Sequence, residues 1–162
     1  MKSIIILQGR LSLRCRNQRP TYSRGLIEMN KFTGAWRLVS FEEHRPYGEI
    51  DYPYGRNPAG LLIYDATGRM SVQVMRSDRA PLSSNNAEEA LSEEIRAAIE
   101  GFTAFFGAYE IDEDASTITH HVEGHIFPNS VGKSLKRSFE FSDDRLILKP
   151  TPMRQVIWER IR

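Results

Sequence analysis

One cysteine, Cys15, is all the sulfur-bridge chemistry that 162 residues offer, so no internal disulfide can form. Nothing calls for an oxidising compartment, and a cytoplasmic location is the default expectation. No apolar run approaches the roughly 18 residues of a membrane helix, so no membrane partner is expected. The motifs of phosphate binding and covalent catalysis are missing too. There is no Gly-x-Gly-x-x-Gly, no P-loop, no Gly-x-Ser-x-Gly and no His-Glu-x-x-His. These absences leave no ground for expecting a nucleotide cofactor, and no cofactor of any kind is expected.

Acidic residues are absent from one stretch. Residues 1–27 carry Lys2, Arg10, Arg14, Arg16, Arg19 and Arg24 and no Asp or Glu. The rest of the chain then holds 16 basic against 21 acidic residues. A mildly acidic domain with no basic stripe excludes nucleic acid as an expected partner. The basic stretch has the composition of a transit peptide, but Ile4-Ile5-Ile6-Leu7 is too short for a secretory h-region of roughly 7–15 apolar residues. Residues 1–29 are expected to be a disordered extension, or to reflect a start assigned too early, since Met29 follows directly and domain-like composition begins there. The folded domain is expected over residues 30–162, a length that can bury a core without disulfides.

What is present from Gly34 onward is a series of short strands separated by turn chemistry. Gly34 to Glu43 alternates, with Trp36, Leu38 and Ser40 on one face. Arg45 to Gly60 is rich in Pro and Gly and reads as a loop or an irregular edge. Leu61 to Tyr64, the turn Asp65-Ala66-Thr67-Gly68 and Arg69 to Arg76 make a hairpin. The period then changes. Ser83-Ser84-Asn85-Asn86 supplies N-cap residues, and Leu91, Ile95, Ala98, Ile99, Phe102 and Phe106 recur at helical spacing. One helix is expected near Asn86–Phe105, with Ser92 as a possible break backed by Glu93 and Glu94. Strands resume as two further hairpins, turning at Asp112–Ala115 and Ser142–Asp144, and a last strand spans Gln155 to Ile161. Many short strands joined mostly by hairpins predict an all-β, antiparallel up-and-down barrel of about eight to ten strands, with one helix capping or flanking it. A sandwich is the alternative that turn spacing alone leaves open.

Particular residues sharpen this. Gly34-Ala35-Trp36 resembles the Gly-x-Trp signature on the first strand of lipocalins. Gly34 to Glu42, Gly60-Leu-Leu-Ile-Tyr64, Gly68 to Arg76, Phe106-Gly-Ala-Tyr109, Thr119-His-His-Val-Glu123 and Pro128-Asn129 are similar to a narrower group, the bacterial and fungal lipocalin-like domain family. The resemblance spans nearly all of residues 33–161. It implies a small barrel with a central cavity, and little about chemistry. It also implies that Trp36 plugs the closed end, with a basic residue of the last strand, here Arg160, lying over it.

The densest polar cluster is Thr119 to His125, which holds three of the four histidines. Alternation puts Ile118, His120 and Val122 on one face and Thr117, Thr119, His121, Glu123 and His125 on the other. The first face is apolar apart from its histidine, so His120 is expected inside the barrel and is the candidate acid or base. Two histidines and a carboxylate on the second face would suit a metal, but that face should be solvated and Gly124 should bend the strand, so no metal is expected. Arg137 is in phase with Phe139 and Phe141 and is expected to point inward. There a guanidinium needs a partner, either a barrel carboxylate such as Glu42 or an anionic ligand. Tyr109 shares a face with Gly107 and Ile111. His120, Tyr109 and Arg137 are therefore expected to converge, with Tyr64, Gln73, Met75, Phe106 and Trp158 as further ligand-binding candidates. Met75 and Phe106 would line an apolar mouth.

The expected function is binding of a small apolar or amphipathic molecule by a monomer or homodimer. The alternatives are a cofactor-independent isomerase, cyclase or hydratase using His120, and an interaction domain whose barrel is filled.

Overall fold

The computed structural model describes residues 31–86 and 88–162; the expectation for residues 1–29 lies outside the described residues. The strands are β1 (Gly34–His44), β2 (Ile50–Asp51), β3 (Ala59–Tyr64), β4 (Arg69–Met75), β5 (Phe102–Asp112), β6 (Thr117–His125), β7 (Ser134–Ser142), β8 (Arg145–Thr151) and β9 (Arg154–Arg160), with a single α-helix, α1 (Ser92–Glu100). Their order is β2-β1-β3-β4-β5-β6-β7-β8-β9, every pairing is antiparallel, and β1 also pairs with β9. Eight strands thus close into a barrel, and the two-residue β2 extends the end of β1. Closure leaves no open sheet edge among the eight.

The turns form for local reasons. At the β3–β4 turn the Asp65 carboxylate accepts hydrogen bonds from the backbone N–H groups of Thr67 and Arg69, both at 2.8 Å. The bond from Arg69 chiefly holds that carboxyl below its ordinary pKa. Gly68 takes the left-handed conformation, φ 86°, that reverses the chain.

One end of the barrel is plugged. Trp36 is 1% exposed, its indole N–H donates to the Phe32 carbonyl at 2.8 Å, and the Arg160 guanidinium lies 4.1 Å from its ring centroid. Arg160 also donates to the Thr33 carbonyl at 2.8 Å. Phe32 packs edge-on against Phe139 and Phe141, with ring centroids 4.8 and 4.9 Å away. Arg160 over Trp36 is the arrangement the resemblance implied.

The helix is shorter than its sequence pattern suggests. It begins at Ser92, where the Glu94 side chain accepts from the Leu91 N–H at 3.1 Å and from the Ser83 hydroxyl at 2.7 Å. It ends at Gly101, whose N–H bonds the Ala97 carbonyl. Phe102 and Phe106 continue the helical spacing, yet they belong to β5, where Phe102 pairs with Met75 and Phe106 with Ser71. Seven consecutive strand pairings with β4 outweigh one more turn of an amphipathic helix.

Two bulges decide which side chains face inward. In β1 the register steps from Leu38↔Trp158 to Ser40↔Ile157. Beyond it Phe41 points into the barrel, while Ser40 and Glu42 share the outer face. In β6 the register steps from Gly107↔Val122 to Phe106↔Gly124, so Glu123 is extra. His125 therefore faces the interior, opposite in sense to His121. Gly107 permits this crossing: a Cβ there would lie 1.9 Å from the His121 carbonyl oxygen.

Candidate functional site

At the end opposite Trp36 the barrel opens into a pocket of about 220 Å³. Its apolar wall includes Leu62, Val72 and Val74 from β3 and β4, Leu135 from β7, and Leu148 and Val156 from β8 and β9. Phe41, Tyr54, Phe105 and His125 add aromatic rings, and Thr103, His120, Arg137, Arg154 and Trp158 supply the polar groups.

His120 is 2% exposed. Its Nε2 lies 2.6 Å from the Tyr64 hydroxyl, and its Nδ1 has no hydrogen-bond partner. Burial pushes the imidazole pKa well below its ordinary value, and the positive charge of Arg137 pushes the same way, so the ring is neutral at neutral pH. Burial likewise raises the Tyr64 phenol, which keeps its proton. Among the described residues that proton has one acceptor, His120 Nε2. A buried hydroxyl does not leave its hydrogen unused, so Tyr64 donates to Nε2 and the imidazole hydrogen sits on Nδ1. Tyr64 thus fixes the tautomer of His120.

Arg137 reaches the pocket from β7. Its guanidinium donates to the Leu135 carbonyl at 3.0 Å and lies 5.7 Å from the Phe105 ring centroid. Burial lowers its pKa from the ordinary arginine value. The expected structural partner is not there. The Glu42 carboxylate is engaged on the outer face by Gln155 at 2.7 Å, Ser40 at 2.8 Å and His44 at 3.1 Å. The β1 bulge explains the difference, because it turns Glu42 away from the interior. Among the described residues no carboxylate forms an ion pair with Arg137. Arg154, at the mouth, donates to Glu43 at 3.0 Å.

Of the sequence-derived candidates, His120, Arg137 and Trp158 come together at the pocket. Tyr109 is buried beside them, directly opposite His120 in the β5–β6 pairing, but its hydroxyl donates to the Asp65 carbonyl at 2.8 Å. It is Tyr64, not Tyr109, whose hydroxyl meets His120. Gln73 and Phe106 point out of the barrel: Gln73 bonds the Ser71 hydroxyl at 2.9 Å, and the Phe106 ring lies over Gly124. Met75 shares their outward phase at the end of β4, where its sulfur meets Arg79. An apolar mouth of Met75 and Phe106 is therefore not what the structure builds. The mouth belongs to Phe41, Tyr54, His125 and Arg154. The first and third of these face inward only because of the bulges, and Tyr54 comes from the segment read as a loop or an irregular edge. His125 stacks on Phe105, with ring centroids 5.4 Å apart and planes 9° from parallel. It is thereby separated from His121 and Glu123, and Glu123 pairs with Arg69 at 2.5 Å.

The profile of a family described as "Lipocalin-like domain" matches residues 33–160 of this chain. Among solved structures, a lipocalin-like protein from Bacteroides uniformis ATCC 8492 is 15% identical, with a TM-score of 0.45, and the match covers 80% of this chain and 98% of that one. No curated protein matches the chain.

Proposed function

The chain belongs to the lipocalin-like domain family, and from that premise we propose that its barrel takes up a small, largely apolar molecule. The observation that carries this reading is the pocket of about 220 Å³ inside the open end, walled by aliphatic and aromatic side chains with a few polar groups at its base. That is the general form of a small-molecule site. The volume is below the roughly 300–1,000 Å³ of drug-sized sites, which favours a ligand of one ring or a short chain. The open space also speaks against a barrel filled by its own side chains.

Binding is favoured over acid–base catalysis by the state of His120. Its pKa is depressed, so little of the imidazolium exists at neutral pH. Its one basic nitrogen is occupied by Tyr64. A ring so placed is a hydrogen-bond donor held in orientation, and a weak agent of proton transfer.

Protein-observed NMR with a mixed panel of charged and neutral apolar fragments tests the reading. Binding should shift the resonances of Leu62, Val74, Phe105, His120 and the Trp158 indole, and leave those of Trp36 in place. A panel of that kind that perturbs none of the pocket residues refutes it.

A further inference from the structure

Apart from the Thr103 and Tyr54 hydroxyls, which bond each other, the polar groups of the pocket are one-sided. Among the described residues its lining contains no Asp or Glu. It contains the Arg137 guanidinium, which among the described residues has no carboxylate partner and one hydrogen bond, to the Leu135 carbonyl. It contains the Trp158 indole nitrogen, which can only donate and has no partner. It contains His120 Nδ1, also without a partner, which carries a hydrogen because Tyr64 occupies the other nitrogen. Each unsatisfied buried donor costs about 1–3 kcal/mol. A guanidinium withdrawn from water without a counter-ion costs several times what a neutral group does. Three donors with no acceptor among them, one of them a fixed cation, ask for an acceptor that carries negative charge.

Resting on the binding reading above, we infer that the ligand is a small apolar carboxylate, held with its hydrocarbon body toward the mouth and its carboxylate at Arg137, Trp158 and His120. The guanidinium fork matches the two oxygens of a carboxylate. The Trp158 nitrogen and His120 Nδ1 are closed off from water. His120 stays neutral throughout, so the positive charge at the site is that of arginine alone. Arg154 also lines the pocket and its buried Nε has no partner, but its charge is met at the mouth by Glu43, so the carboxylate is assigned to Arg137.

The test compares acids with their primary amides, which keep the shape and remove the charge. Titration calorimetry at pH 7.5 is run with trans-cinnamate against cinnamamide, and with hexanoate against hexanamide. Each acid should bind at least about tenfold more tightly than its amide, the least that a desolvated charge pair contributes. Arg137→Met should abolish the preference for acid over amide, and Arg137→Lys should keep part of it. The Trp158 indole N–H resonance should move downfield with the acids and not with the amides. Equal affinity of acid and amide overturns the inference while leaving a binding pocket in place, as does an acid preference that survives Arg137→Met. No binding of any of the four overturns the inference and, with a silent fragment panel, the binding reading as well. The acid–amide comparison on the unaltered protein holds its force whether or not the variants fold.

Discussion

Because His120 is neutral when folded and free to charge when unfolded, the protein should lose stability in mild acid in a way that one substitution removes. In the unfolded chain its imidazole has the ordinary value of about 6.5. In the barrel, burial and the neighbouring Arg137 and His121 charges hold it well below that. Between the two values the unfolded state binds one proton that the folded state does not. Stability therefore rises with pH by about 1.4 kcal/mol per unit across that window. The contribution is complete above the unfolded value and drains away as the pH falls toward the folded one. From pH 7.5 to pH 5.0 the loss assignable to His120 amounts to about 2 kcal/mol. The carboxyls with lowered values, Glu42, Asp65, Asp78, Glu94 and Glu123, titrate below this range. His125 is lowered in the same direction by burial and Lys133, and remains in both proteins. Urea unfolding of the wild type and of His120→Gln at pH 7.5, 6.0 and 5.0 measures the difference. Glutamine can still accept the Tyr64 hydroxyl and does not titrate. The wild type should lose about 2 kcal/mol more than the variant over the interval. Parallel pH profiles would refute a buried neutral His120.

Two further substitutions probe the scaffold. Arg160→Met removes the cation over Trp36 and the bond to the Thr33 carbonyl, and should cost about 2–4 kcal/mol from the two together; a urea midpoint within error of wild type would mean that the plug does not need its latch. Gly107→Ala sets a methyl 1.9 Å from the His121 carbonyl oxygen, more overlap than the 1–3 kcal/mol of ordinary overpacking relieves, so hydrogen exchange should show β5 and β6 amides losing protection together, and a variant with unchanged protection would remove the case for a glycine at this crossing.

Much of this was legible in the chain because hairpins are local. The turn residues at Asp65–Gly68 and Asp112–Ala115 announce themselves, and strict alternation put His120 and Arg137 on the inner face correctly. The β5 start was not legible. Phe102 and Phe106 fit a helical stripe, and only pairing with β4, a partner distant in sequence, makes them a strand. Gly101 was the one available signal, as a helix stop ahead of an aromatic run. Bulges were the other blind spot. The extra residue in β1 moved Glu42 outward and Phe41 inward, and the extra residue in β6 moved His125 inward. Gly124 hinted that alternation would fail there, but nothing in β1 marked its break. The error at Glu42 mattered most, because it supplied Arg137 with a partner that the fold withholds.

The pairing of β1 with β9 makes the strand order a ring. A ring has no first member, and the chain enters and leaves it at one place: Gly34 and Arg160 lie on neighbouring strands, and Ile161 bonds back to the Ala35 carbonyl at 2.9 Å. The point at which synthesis begins is thus incidental to the pairings. A polypeptide started at the exposed turn between β5 and β6, and carried across a short link from Arg162 to Lys31, would contain every ladder described above. It would also free new ends at the side of the barrel where Lys31 and Arg162 lie, so a circularly permuted domain leaves the mouth unobstructed.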